Sequence, residues 1–312
     1  MLKSDEEKTK AEQASAATKR LARLLERHAR QEGTTEAPIP GLYFNRYSRN
    51  QPSDYKHTMY WPTVGIAAQG KKVIKIGDKV AEYSGSRILV APVALPVGIQ
   101  TIQASPTEPF LGIGVYLDPQ KIAALVPQVY PDGLPSIGRR SANYVLDGEP
   151  ALIDAVARLV ACLDEPGDGR LLASLAENEI FIRLLRSPIG VYVAETVLNG
   201  SDAQRVAKAI DWLRDHFAES PKMSELADMV HLSESSFREY FKSVTSMSPL
   251  QYQKALRLQE ARRLMLAGER DAASASRLVG YISDSQFSRD YSRFFGSPPS
   301  RDIAKWRTGR SS

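Results

Sequence analysis

Hydrophobic and polar positions change rhythm along this 312-residue chain, and each change marks a different kind of element. Residues 10–31 are rich in Ala, Leu, Lys, Arg and Glu and nearly free of breakers, which predicts a helix; Gly33 and the Pro38–Pro40 stretch would stop it. From Leu42 to Leu117 the texture turns to short alternating runs separated by Gly and Pro, clearest in VGIAAQG, KKVIKIGDKVAEYSG and SRILVAPVALPVGIQTIQA. Ile74 and Ile76 alternate with Val73, Lys75 and Gly77, and Gly77-Asp78 has the chemistry of a hairpin turn. Short antiparallel strands of this kind predict a small barrel or a two-sheet roll.

Between Pro150 and Gly200 the helical period returns. Leu152, Ile153, Val156, Leu159, Val160 and Leu163 make one apolar stripe, ended by the EPGDG loop at Glu165–Gly169, and a second helix is expected from Leu171 to Arg186. The stretch Leu198–Asp202 reads as a hinge, because Asn-Gly-Ser-Asp is turn chemistry and a good N-cap for the helix that follows.

The last third carries one pattern twice, as MSELADMVHLSESSFREYFKSVTSMSP (Met223–Pro249) and RDAASASRLVGYISDSQFSRDYSRFFGSPP (Arg270–Pro299). In the first copy a short helix with Leu226, Ala227 and Val230 inward leads through His231-Leu232 to a capping Ser233. The helix after it has a core stripe of Phe237, Tyr240, Phe241 and Val244, leaving Ser235, Arg238, Glu239 and Lys242 outward. In the second copy Gly280 supplies the turn, Ser283 the cap, and Phe287, Tyr291, Phe294 and Phe295 the stripe; Asp284, Ser285, Ser288 and Arg289 point out. Caps, stripes and the trailing Pro249 and Pro299 coincide when the copies are overlaid. Two such helix-turn-helix units joined by a long helix can enter two adjacent major grooves of double-stranded DNA. Arg289 is the best single candidate for a bidentate contact to guanine.

Composition narrows the class. With 43% hydrophobic and 25% charged residues, and no run long enough to span a bilayer, the chain reads as a soluble protein of two ordinary domains with no membrane partner. MLKSDEEKTKAEQ lacks the apolar core of a signal peptide, and the single Cys162 allows no internal disulfide; both fit the cytoplasm. From residue 201 onward 18 Lys/Arg face 14 Asp/Glu, an excess that favours a polyanionic partner.

On these residues, 205–305 resemble the C-terminal domain of the AraC/XylS-type bacterial transcriptional regulators. The resemblance is carried by MSPLQYQKALRLQEARRLML (Met247–Leu266) and VGYISDSQFSRDYSRFFGSPPSRD (Val279–Asp302). It implies seven helices, with two helix-turn-helix units linked by a rigid helix near Pro249–Ala267. By position, it makes Ser235, Arg238, Glu239, Asp284, Ser285, Ser288 and Arg289 the base-reading residues. Glu239 stands where such regulators often carry arginine; a carboxylate can accept from cytosine N4 but cannot hold guanine. His231 takes the turn position that Gly280 fills in the second copy, which histidine tolerates better than most residues.

The N-terminal 130 residues resemble the ligand-binding arm of one branch of that family, through IPGLYFNRYSRN (Ile39–Asn50) and the stretch Trp61–Asp118. Such arms look like a cupin, whose interior holds a small-molecule effector, and the helices after them commonly pair subunits. A cupin metal centre needs clustered histidines with a carboxylate. Only His57 of the four histidines lies in the barrel, so the alternative of a cupin-type metalloenzyme fused to a nucleic-acid-binding domain is disfavoured, and neither metal nor cofactor is expected. His57 reads as a surface or lightly buried polar residue and Cys162 as a packed small hydrophobe. Tyr43, Tyr55, Tyr60, Trp61 and Tyr83 read as core aromatics that could also line a pocket. GIGVY at Gly112–Tyr116 lacks the third glycine of a dinucleotide loop.

The expected fold is α+β: an N-terminal helix at 1–36 and a cupin-like sensor barrel at 37–130. A helical linker that offers a dimerisation surface follows at 131–200, then an all-α double helix-turn-helix domain at 201–306 and a tail at 307–312. The expected function is transcription regulation, not catalysis: an effector in the barrel changes DNA occupancy or contact with RNA polymerase, by activation or repression, in a monomer or a homodimer.

Overall fold

The computed structural model describes residues 2–51, 55–135, 144–165 and 167–309. Residues 310–312 of the expected tail and Pro166 of the EPGDG loop lie outside the described residues. The chain opens with α1 (Leu2–His28), which starts earlier than its clearest periodicity and ends before Gly33, whose φ of 100° no helix continues through. Leu21 and Leu25 on α1 are fully buried, and Lys10, Arg20 and Arg27 pair with Glu149, Asp154 and Asp164. The helix is thus packed into the body of the N-terminal half.

Among the described residues ten strands follow: β1 (Gly33–Glu36), β2 (Leu42–Tyr47), β3 (Lys56–Tyr60), β4 (Thr63–Gln69), β5 (Lys71–Ile76), β6 (Lys79–Ser84), β7 (Arg87–Ala91), β8 (Leu95–Gln103), β9 (Phe110–Tyr116) and, after α2 (Pro119–Val129), β10 (Val145–Asp147). They form two antiparallel sheets, ordered β1-β2-β9-β4-β7-β10 and β3-β8-β5-β6, which enclose a two-sheet roll. The turn between β5 and β6 is the expected Gly77-Asp78, with Gly77 at φ 57°. Asp118 caps α2 by accepting from the Gln120 and Lys121 amides at 2.8 and 3.2 Å.

Then come α3 (Pro150–Ala161), α4 (Gly169–Leu185), α5 (Gly190–Val197) and α6 (Asp202–Asp215). The apolar stripe read from Leu152 to Val160 is buried on α3. Helix α5 was not among the expected elements; its Gly190 lets the backbone pass against the Leu185 carbonyl, where a side chain would collide.

The C-terminal half is all helical: α7 (Met223–Met229), α8 (Glu234–Thr245), α9 (Pro249–Leu266), α10 (Ala272–Leu278), α11 (Asp284–Phe295) and α12 (Pro299–Gly309). With α6 these are the seven helices the resemblance implied. Two cores serve the molecule. One runs without a break from α1 through the sheets to Phe237, Phe241 and Val244 of α8; the other gathers Leu258, Ala275, Phe287, Tyr291 and Phe295 under the second helix-turn-helix unit. Among the described residues no helix is long and apolar enough to cross a membrane.

The smaller core is closed by a buried polar clasp. Arg262 of α9 forks onto Asp302 of α12 with two bonds of 2.8 Å, Tyr291 of α11 donates to the same carboxylate at 2.7 Å, and the guanidinium lies 4.5 Å from the Phe295 ring. Removing one partner strands the other charge in an apolar site. Arg262→Met is therefore expected to destabilise the protein by about 3–5 kcal/mol, and the double variant Arg262→Met, Asp302→Leu to recover most of it. Urea denaturation followed by circular dichroism checks this; equal losses in both variants would refute the clasp.

Candidate functional site

Two places offer chemistry: the outward faces of α8 and α11, and the space between the sheets. Helices α8 and α11 are built alike. Ser233 accepts from the Ser236 amide at 3.2 Å and Ser283 from the Gln286 amide at 3.3 Å, so each helix begins where its serine satisfies an orphan N–H. The turns before them also match, with His231 at φ 56° and Gly280 at φ 85°. Arg205 of α6 holds the His231 carbonyl at 3.2 Å. Gly280 has a second reason to be glycine, since a Cβ there would run into the Ala218 carbonyl.

Ser235, Arg238, Glu239 and Lys242 are exposed on α8, and Asp284, Ser285 and Arg289 on α11, with Ser288 half-buried beside them. Arg238 rests on Glu234 at 3.2 Å and Arg289 donates to Gln286 at 2.9 Å; both are solvent-facing contacts that a nucleic acid can replace. The expected stripe on α8 needs one correction. Tyr240 is 37% exposed and donates to Asp202, so Phe237, Phe241 and Val244, with Thr245, are its buried side.

The second place is a cavity of about 280 Å³ between the sheets. Gly65, Gly112 and Gly114 leave room on the wall formed by β4 and β9, so the GIGVY stretch serves as a cavity wall. Tyr43, Tyr60, Trp61 and Tyr83 line it, whereas Tyr55 lies elsewhere, packed on Gly98. Burial raises Tyr60 to about 12 and pushes Tyr83 well above its ordinary value, and their hydroxyls are bonded to one another. Sequence reasoning missed Lys72. It is 1% exposed, with its ammonium position 4.5 and 4.2 Å from the Tyr47 and Phe110 ring centroids. Desolvation, helped by Lys56, brings its pKa down to about 7. The signal was present: alternation puts Lys72 on the same face as Ile74 and Ile76.

His57 is half-buried, within the range expected of it, but its surroundings are apolar. Its ring is wedged against Phe294 and Phe295, centroids 4.5 and 5.0 Å away, at the C-terminal end of α11. On β3, Lys56, Thr58, Met59 and Tyr60 line the cavity, and the Thr58 carbonyl accepts from Gln259 of α9. One strand thus separates the cavity from the second reading unit. Further ties reach the first unit: Tyr144 and Tyr192 both donate to the Val244 carbonyl, at 2.7 and 2.9 Å, and the Gly77 turn packs on Ser246 and Met247. Cys162 is half-buried, its thiol donates to the Arg158 carbonyl, and burial pushes its pKa up. Among the described residues no three His, Cys, Asp or Glu side chains gather to hold a metal ion.

Comparison with known proteins agrees with this arrangement. Residues 38–192 match the family model of the AraC-type transcriptional regulator N-terminus, and 226–304 match a helix-turn-helix domain model. The HTH-type transcriptional activator RhaS of Escherichia coli O1:K1 / APEC is 30% identical over 160 residues, 51% of this chain and 56% of the relative. RhaS of strain O6:H1 matches over 186 residues, 59% of this chain and 63% of the relative, at the same identity. The chain thus spans little more than half the length of the relatives it matches. Among solved structures, ToxT of Vibrio cholerae strain SCE256 with a bound unsaturated fatty acid superposes with a TM-score of 0.50 at 10% identity, over 86% of this chain and 97% of ToxT. Another ToxT structure gives 0.51 at 12% identity, over 84% and 98%. These likenesses show a shared fold.

The His57 contact carries a pH dependence. Burial, then Arg262 and Lys75, lower its pKa from the ordinary 6.5 to about 4, so the folded state prefers the neutral ring. Its contribution to stability is whole above about 6.5 and is lost as pH falls toward about 4. His57→Phe should flatten this part of the thermal-stability profile; a profile unchanged from wild type would refute the contact.

Proposed function

Because the chain belongs to the AraC-type transcriptional regulators, we propose that it is a sequence-specific DNA-binding regulator governed by a small molecule held between its sheets. The family works by binding, and the chain is not an enzyme. The observation that carries this reading is the repeated unit, with matched serine caps, matched positive-φ turns and an open outward face on the second helix each time. In this reading Ser235, Arg238, Glu239 and Lys242 enter one major groove, and Asp284, Ser285, Ser288 and Arg289 the next. Arg289 reads guanine, Glu239 accepts from cytosine, and Lys242 binds phosphate.

The effector occupies the cavity lined by Tyr60, Tyr83 and Lys72, and its lining favours a compact, mostly apolar molecule. β3 transmits its presence: an occupant that displaces Thr58 or Tyr60 moves His57, and with it the Phe294–Phe295 end of α11. Leu171, Leu172 and Leu175 stand exposed on α4 and supply the apolar face on which a second copy pairs. RNA polymerase is the further partner, and the cytoplasm the place of action.

Selection of binding sites from a random duplex pool tests the reader. Two boxes about one helical turn apart are expected, and salt-sensitive binding without a motif would overturn the assignment. Within a selected site, Arg289→Ala should cost roughly 1–3 kcal/mol and relax preference at one base pair, while Lys242→Ala should weaken selected and random DNA alike. Equal losses on both DNAs for Arg289→Ala would remove its base-reading role.

A further inference from the structure

We propose that Lys72 captures its effector covalently, its amine condensing with the aldehyde or ketone group of a compact apolar molecule in the cavity between the sheets to give a reversible imine. The inference rests on the effector reading of that cavity and deepens it by naming the ligand's reactive group.

The geometry points this way in three respects. A fully buried ammonium is costly, and a methionine would fill the same volume without that cost. Yet no Asp or Glu lines the cavity among the described residues, and a second amine, Lys56, does. Desolvation together with a neighbouring cation holds an amine neutral and nucleophilic, which is what imine formation needs. Finally, the ring faces of Tyr47 and Phe110 flank the amine at 4.5 and 4.2 Å. These ring faces favour the ammonium modestly, but they supply no counter-charge and keep water from the nitrogen, so a carbonyl carbon reaching it meets the amine in an apolar place.

The step balances without an oxidant or reductant. The Nζ lone pair adds to the carbonyl carbon, the carbonyl π pair moves to oxygen, and the carbinolamine then expels that oxygen as the C=N bond forms. Both amine protons leave on the oxygen as water. Tyr60 and Tyr83, kept protonated by burial, line the same cavity, and in this proposal a hydroxyl there lends and recovers the proton that assists expulsion. The adduct would sit on β5, which pairs with β8, and β8 pairs with β3, the strand that touches α11.

The test uses the full-length protein with benzaldehyde and cyanoborohydride near neutral pH, followed by peptide mapping of each lysine. With a pKa of about 7 its neutral fraction exceeds that of an ordinary surface lysine by on the order of a thousandfold, so Lys72 should be benzylated at least ~10 times faster than Lys71, Lys75 or Lys79. Labelling of Lys72 no faster than these neighbours overturns the proposal. Parallel calorimetry with benzoate separates the competing chemistry: benzoate binding with proton uptake, and no preferred labelling of Lys72, would replace the imine by a carboxylate pair and leave the effector cavity standing. Fast labelling of Lys72 that leaves occupancy of the selected DNA site unchanged would uphold the imine chemistry and remove the cavity's effector role.

Discussion

A helix with almost no wet side holds this molecule in register. On α9, Tyr252, Gln253, Ala255, Leu256, Leu258, Ala261, Arg262 and Met265 are buried, and they cover every direction around its axis. It touches all three other parts of the protein. Tyr252 donates to the Ala94 carbonyl and Gln259 to the Thr58 carbonyl, both in the sensor half. Arg257 spreads over the carbonyls of Phe217, Ala218 and Glu219, which precede the first reading unit, and over that of Gly280 in the turn of the second. Those carbonyls sit at loop and helix ends where the backbone supplies no donor, and a planar guanidinium can serve several at once where an ammonium could not. The spacing of the two reading helices is therefore a property of one rigid element and its arginines.

Around that spine the N-terminal half is arranged with little between the cavity and the second helix-turn-helix unit. Glycines at 65, 112 and 114 hollow out the roll, and β3 forms a wall one strand thick. A strand presents alternate side chains to opposite faces, so His57 can press on α11 while Lys56, Thr58 and Tyr60 face the cavity. The first reading unit shares a continuous core with the sheets, while the second has its own and meets the sensor through His57 and Gln259. Shifting the second unit would disturb a few aromatic contacts and leave the main core intact.

Much of this was legible in the residues because it is decided locally. A serine that accepts the amide three residues on starts a helix wherever it stands, so Ser233 and Ser283 announced both reading helices. Positive φ at Gly77 and Gly280, and its tolerance at His231, follow from short-range sterics. The stripe Phe237, Phe241, Val244 follows from the helical period, whereas Tyr240 at its margin was misread because periodicity gives a direction and not the width of the neighbour that covers it.

Only tertiary structure decided the rest. Lys72 lies on the inward face of β5 by alternation alone, but the Tyr47 and Phe110 rings that enclose it come from β2 and β9. His57 meets Phe294 and Phe295 across more than two hundred residues of chain. Charge and polarity in the sequence argue for exposure of such side chains. Whether a lysine or histidine is desolvated depends on which distant elements close over it, and that is fixed by the packing of sheets and helices after the local elements have formed.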